Sequence, residues 1–242
     1  MGAEQIVYAS LESGQPSPEA AQLHLPENLA TRAPIVVMVS GTGGIDKRFP
    51  FHRQSLLAAG IGTLELDLKS GLFTSFRDRP KREFFVPYVL GALEAVRSHP
   101  RVEPGLIAVM GFSFGAGIAL LTANMNLTDD WFKGQPGFSA HIGFCAGCGM
   151  GRRFRPSGAP ILVLNGTADT YLKSRRYYCS DLARQYSKMI QVVEYPGVHH
   201  GFDHPLLDAV YRNGRRIMKW DENAAMDARR RIAAFLKHSF ER

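Results

Sequence analysis

The apolar positions of this chain fall into short unbroken runs, separated by longer stretches in which apolar and polar residues interleave. Pro34-Ile-Val-Val-Met-Val-Ser40 is one such run, closed by glycines at 41, 43 and 44. A β-branched run without polar alternation predicts a strand buried on both faces of a parallel sheet. Gly62–Asp67, Leu106–Met110, Ala140–Phe144, Pro160–Asn165 and Ile190–Tyr195 predict further strands. Between them, residues 51–59, 81–99, 116–125 and 172–187 predict helices. A last helix over about 223–240 places Ile232, Phe235 and Leu236 on one face and Arg229, Arg230 and Lys237 among its polar residues. Residues 4–12 and 20–25 predict two early strands, split by the turn-rich Ser13–Pro18. Strands alternating with helices throughout indicate an α/β fold, a mostly parallel sheet with helices on both faces. Ligands in such sheets bind at the C-terminal edge of the strands. With no repeat, low-complexity segment or long linker, residues 1–242 read as a single domain.

Composition narrows the class. A chain of 242 residues, 45% hydrophobic and 21% charged, can bury a full α/β core. No run approaches the ~18 apolar residues of a membrane span, so no membrane partner is expected. Met1-Gly-Ala-Glu-Gln5 lacks the basic-then-apolar pattern of a signal peptide, which sets the expectation of a cytoplasmic protein. The net charge of +7 reads as a solubility feature. It comes without zinc-finger spacing, an aromatic RNA-binding signature or a basic tail, so no nucleic-acid partner is expected. Nothing in the sequence signals an oligomeric state.

The chemistry gathers at Gly111-Phe-Ser-Phe-Gly115, between the apolar runs 106–110 and 116–121. Gly-x-Ser-x-Gly between a strand and a helix is a nucleophile elbow, which holds the serine at the strand tip in a strained conformation. The amide of Phe114, at the helix start, points at the same spot. A serine needs a base to take its proton, usually a histidine supported by a carboxylate. Ser113, Asp169 and His200 all stand at predicted C-terminal strand ends, in the nucleophile-acid-histidine order of α/β hydrolases.

Three blocks, Gly111–Gly115, Asn165-Gly-Thr-Ala-Asp169 and Tyr195-Pro-Gly-Val-His-His-Gly-Phe-Asp203, resemble the motifs of the dienelactone hydrolase family. The likeness runs from about residue 34 to the C-terminal helix. It implies a single-domain α/β-hydrolase fold without a large cap, and no cofactor. It implies that the catalytic histidine is His200, directly before Gly201, with His199 a neighbour. It also implies an oxyanion hole built from the amides of Phe114 and of Thr42, in the loop after the first central strand. Dienelactone hydrolases proper carry cysteine where this chain has Ser113. They place a carboxylate-binding arginine shortly after the strand-end aspartate, where this chain has Asp67-Leu-Lys-Ser-Gly71. These departures point to a serine esterase of the same family acting on an ester, lactone or thioester. An acyltransferase, a lyase or cyclase using the same residues, and a non-catalytic binding module are the alternatives.

The remaining features are weaker. Loops 68–80 and 145–159 follow strand ends and are expected to line the substrate site, through Lys69, Phe73, Phe76, Arg152 and Arg153. With Arg155, Arg175 and Arg176 they would form a basic mouth suited to a small anionic ester or lactone. Cys145-Ala-Gly-Cys148 has half-zinc or redox spacing and reads as local structure. A Cys148–Cys179 disulfide would go with an exported protein. His199, His200, Asp203 and His204 are dense enough for a metal site, but His200 is already used, and no metal is expected.

Overall fold

The structure, a computed structural model, describes residues 3–27, 31–69, 72–73, 78–132, 134–149, 154–172, 175–207, 211–213 and 216–241, without the side chains of 175–178, 211–213 and 216. Phe76, Arg77, Arg152 and Arg153 lie outside the described residues, as do the side chains of Arg175 and Arg176.

In chain order the elements are β1 (Glu4–Ile6), β2 (Ala21–His24), β3 (Ala33–Val39), α1 (Arg48–Ala58), β4 (Gly62–Leu66), α2 (Val86–Arg97), β5 (Val102–Phe112), α3 (Phe114–Leu121), α4 (Met125–Phe132), β6 (His141–Phe144), β7 (Ile161–Gly166), α5 (Arg175–Gln185), β8 (Ile190–Tyr195), β9 (Tyr211–Asn213), β10 (Arg216–Met218) and α6 (Glu222–Phe240). Eight strands form one sheet in the order β1-β2-β4-β3-β5-β6-β7-β8. From β4 to β8 every pairing is parallel; β1 and β2 are added antiparallel at one edge.

The unbroken apolar runs have the expected cause. Ile35, Val37 and Val39 of β3 face a core layer with α2 and α3, while Val36 and Met38 face the opposite layer with α1 and α6. In β7, Leu162 and Leu164 face α1 and α6, and Ile161 and Val163 join a cluster with Leu182 of α5. With both faces buried, a central strand has no polar side to show.

Several boundaries differ from the expectation. The helix expected over 81–99 begins as a 3₁₀ turn at Arg82–Phe85 and becomes α-helical from Val86, with Pro87 in the first turn, where a missing amide costs nothing. The helix expected over 116–125 is α3, which ends at Leu121, and α4 follows it unexpectedly. β5 runs through Pro104-Gly105, with a register irregularity opposite Ala33–Ile35 that absorbs the interruption. The early strand expected over 4–12 is confined to β1. Cys148 and Cys179 are bonded and tie the segment after β6 to α5; Cys145 is a buried thiol. Among the described residues no helix is long and apolar enough to cross a membrane.

Candidate active site

β5 ends on Phe112, α3 begins on Phe114, and Ser113 joins them at φ 55° and ψ −105°. A side chain disfavours this backbone, which costs on the order of 1–3 kcal/mol, so the surroundings must enforce it. Two glycines let them. A Cβ at Gly111 would lie 2.2 Å from the Gly115 carbonyl oxygen, and one at Gly115 would lie 2.3 Å from that of Ser40. The turn is pinned from the sheet side by the Ser113 amide, which donates to the Phe144 carbonyl at 2.9 Å.

Asp169 follows β7 and His200 follows β8, the next strand across the sheet, so their loops meet above one edge. His200 Nδ1 donates to Asp169 Oδ2 at 2.6 Å, and the Ser113 hydroxyl lies 2.9 Å from His200 Nε2. The other Asp169 oxygen accepts the Tyr171 and Leu172 amides at 2.8 and 3.1 Å. Asp169 and His200 are both buried. The charged carboxylate is thus held by three donors and cannot turn away from the imidazole. Such an array can take a proton from serine and stabilise the resulting imidazolium. β10 braces it: the Lys219 amide donates to the His200 carbonyl at 3.1 Å and the Ile217 amide to Thr170 Oγ1 at 3.1 Å.

The other members of the histidine-rich run disperse. His199 Nδ1 faces the Ala168 carbonyl at 3.1 Å, Asp203 pairs with His52 of α1 at 3.0 Å, and His204 lies 3.9 Å from Asp46. The Cys145 thiol comes within 4.8 Å of ligand-capable atoms of Asp169 and His200, but those two residues are already bonded to each other. Burial, then the charges of Asp169 and Asp203, push that thiol well above its usual range, so it is a poor nucleophile and a poor metal ligand.

The loop after β3 turns tightly, with the Gly44 amide donating to the Gly41 carbonyl at 3.1 Å. A Cβ at Gly41 would lie 3.9 Å from Ser113 Cβ, so the segment entering Thr42 runs against the nucleophile. Phe114 supplies one of the α3 amides left without an intrahelical partner. Of the expected pocket residues, Lys69 is exposed and its amide caps Asp67, while Phe73 packs edge-on against Phe85 at the margin of the core.

Sequence reasoning missed two neighbours of this site, Tyr171 and Arg48, and reached a third, Arg79, only as a member of the 68–80 loop. The Tyr171 ring stacks on the His200 imidazole at 4.4 Å and 23°. The Arg79 guanidinium donates to Thr42 Oγ1 at 2.8 Å and lies 3.9 Å over the Phe114 ring. Arg48, buried in α1, lies over Phe112, and its Nη2 would be 3.3 Å from a Cβ at Gly41. Burial alone would lower the Arg48 pKa. Hydrogen bonds to Asp46 and the charges of Asp203 and Asp46 override it, and the net shift is upward. The short spacing from Asp169 was a usable signal for Tyr171, and the strand-end position of the 68–80 loop was one for Arg79; Arg48 reaches the site only through tertiary structure.

The fold is that of known proteins. A promiscuous phosphotriesterase from metagenomic libraries, described as dienelactone hydrolase-like, superposes with a TM-score of 0.74 at 18% identity, covering 98% of each chain. Esterase 2 of Thermogutta terrifontis, phosphonylated by cyclosarin, gives 0.67 at 19% identity over 98% of this chain and 94% of that one. Est1E from Butyrivibrio proteoclasticus gives 0.67 at 15% identity over all of both chains. At these identities the likeness establishes the α/β-hydrolase fold. No curated protein matches the sequence. The model of the dienelactone hydrolase family matches residues 66–240, which run from the end of β4 through α6 and include Ser113, Asp169 and His200. The chain belongs to the dienelactone hydrolase family.

Proposed function

We propose that this hydrolase cleaves a carboxylic ester, lactone or thioester through an acyl-serine intermediate, within a single domain over residues 1–242. The observation that carries this is the hydrogen-bonded line Asp169–His200–Ser113, with a strained serine at its end. Ser113 Oγ attacks the acyl carbon while its proton passes to His200 Nε2. That proton leaves with the alcohol, and water then repeats the sequence to release the acid. Asp169 holds the imidazole and supports its charge. The amides of Phe114 and Thr42 receive the oxyanion, each contributing about 10²–10³ in kcat. Arg155, expected to help favour an anionic acyl or alcohol group, pairs instead with Asp129, and Arg152 and Arg153 lie outside the described residues, so a panel of esters decides the charge preference. The cytoplasmic location expected from the N-terminal residues is opposed by the Cys148–Cys179 bond, which oxidising compartments favour.

An esterase of this fold is phosphonylated by cyclosarin, so a fluorophosphonate and a panel of activated esters are the probes. Intact mass should show one acyl or phosphonyl adduct on the wild type and none on Ser113→Ala. His200→Ala should lose on the order of 10⁶ in kcat, as the serine variant does, because the three groups act as a unit. His199→Ala, which removes a contact to the Ala168 carbonyl, should lose only about tenfold. Full turnover by Ser113→Ala would sink the covalent mechanism; a dead His199→Ala beside an active His200→Ala would exchange the histidines.

A further inference from the structure

We propose that Arg79 is a positioning residue for the oxyanion hole, fixing the distance between its two halves; this rests on the acyl-serine reading above. The two amide donors belong to separate elements, Thr42 to the turn after β3 and Phe114 to the first residue of α3. Arg79 touches both. Its Nη1 donates to Thr42 Oγ1 at 2.8 Å, and its Cζ lies 3.9 Å from the centre of the Phe114 ring. Arg82 lies 5.3 Å from the same ring, and its Nε would be 2.3 Å from a Cβ at Gly117, so a glycine in α3 makes room for it. Phe114 is itself buried, with Phe85 edge-on at 5.5 Å. The ring is therefore a fixed platform, and the guanidinium carries that fixity across to Thr42.

The chemistry requires arginine. A planar guanidinium can lie over a ring face and donate in its own plane at the same time. A lysine ammonium is a point charge without that geometry. An oxyanion hole works because its donors are in place before charge develops, so a donor free to drift by about 1 Å loses up to 10²-fold in rate. A hydroxyl bonded to an anchored guanidinium is a direct restraint on the Thr42 backbone. Arg79 also brings positive charge to the side of the hole that becomes negative.

The test compares Arg79→Met, Arg79→Lys, Thr42→Val, Thr42→Ser and the Arg79→Met/Thr42→Val double variant. Readouts are kcat and KM on a neutral and an anionic activated ester, and the rate of labelling by a neutral fluorophosphonate. Arg79→Met should lower kcat about 10- to 100-fold on both esters, with KM within about threefold and labelling slowed in parallel. Arg79→Lys should recover little. Thr42→Val should lose about tenfold, Thr42→Ser clearly less than Thr42→Val because it keeps the hydroxyl, and the double variant no more than Arg79→Met, because both remove one contact. If Arg79→Met does not fold, Thr42→Val and Thr42→Ser still test the contact, since neither disturbs the arginine on its ring. A loss confined to KM for the anionic ester would make Arg79 a substrate anchor and overturn the proposal. So would full rates in Arg79→Met, full recovery in Arg79→Lys, or additive losses in the double variant. Ser113→Ala separates the two readings: if it is still labelled, the serine mechanism fails, whereas an unlabelled Ser113→Ala beside a fully labelled Arg79→Met overturns the clamp alone.

Discussion

The imidazole of His200 is held on three sides: Asp169 at Nδ1, Ser113 at Nε2, and the face of Tyr171 stacked at 4.4 Å. The first two contacts set its tautomer and direction. In the proposed mechanism the third bears on the charge that the ring would carry during reaction. An aromatic face attracts a cation by roughly 0.5–1 kcal/mol at exposed sites and about 2 kcal/mol when dry. His200 is buried and Tyr171 half-buried, so the larger figure applies more closely. The contribution belongs to the ring and not to the hydroxyl. Tyr171→Phe and Tyr171→Trp should therefore keep kcat/KM within about threefold, while Tyr171→Leu should lose about tenfold. Stopped-flow labelling by a fluorophosphonate should follow the same order, since it too forms an imidazolium. A phenylalanine variant as impaired as the leucine variant would assign the effect to the hydroxyl or to packing.

At the scale of elements, the parts most legible in the sequence were those with a local physical cause. β3 and β7 announced themselves as unbroken apolar runs because burial on both faces removes the polar alternation. The elbow was legible because its backbone tolerates only glycine two residues to either side of Ser113. What was missed lacks a local signal. α4 is eight residues long and follows α3 almost directly, so its periodicity merges with the helix before it. β9 and β10 have three residues each, too few to show alternation. The link between α1 and the His200 loop is invisible for another reason, since His52 and Asp203 are 151 positions apart. Both are buried, the His52 ring lies 4.8 Å from that of Phe144, and Asp203 Oδ1 has no hydrogen-bond partner among the described residues. Removing one partner of such a buried pair strands the other, at a cost of about 3–5 kcal/mol, while removing both with apolar residues is far milder. His52→Leu and Asp203→Leu should each lower unfolding free energy by about that amount in urea titrations, and the double variant by clearly less than the sum. Additive losses would show that the two side chains do not stabilise the loop as a pair.

At the scale of the whole molecule, the same burial that builds the sheet makes the protein sensitive to acid. His141 opens β6 in the interior of the sheet, is fully buried, and neither ring nitrogen has a well-formed hydrogen bond among the described residues. Burial holds its pKa down to about 3, opposed by the backbone of Thr122. His24, at the end of β2, is held down to about 4 by burial and then by Arg53. In the unfolded chain both would titrate near the ordinary histidine value of about 6.5. Between those limits the unfolded chain binds protons that the folded one refuses, so stability is full above about 6.5 and declines as pH falls. For His141 the slope is about 1.4 kcal/mol per pH unit, or about 2 kcal/mol lost by about pH 5. His24 adds in the same direction and is partly solvated, so it contributes less. His141→Leu replaces a buried polar ring with an apolar side chain at the cost of at most the weak contact with the Thr122 backbone, so at neutral pH it should change stability little. Urea unfolding of the wild type and His141→Leu, at about pH 7.5 and about pH 5, isolates the term because every other titrating group is common to both. The difference between the two proteins should widen by about 2 kcal/mol toward acid, in favour of the leucine variant. A difference that stays constant with pH would mean that His141 is protonated in the folded protein, and that the interior at β6 accommodates its charge.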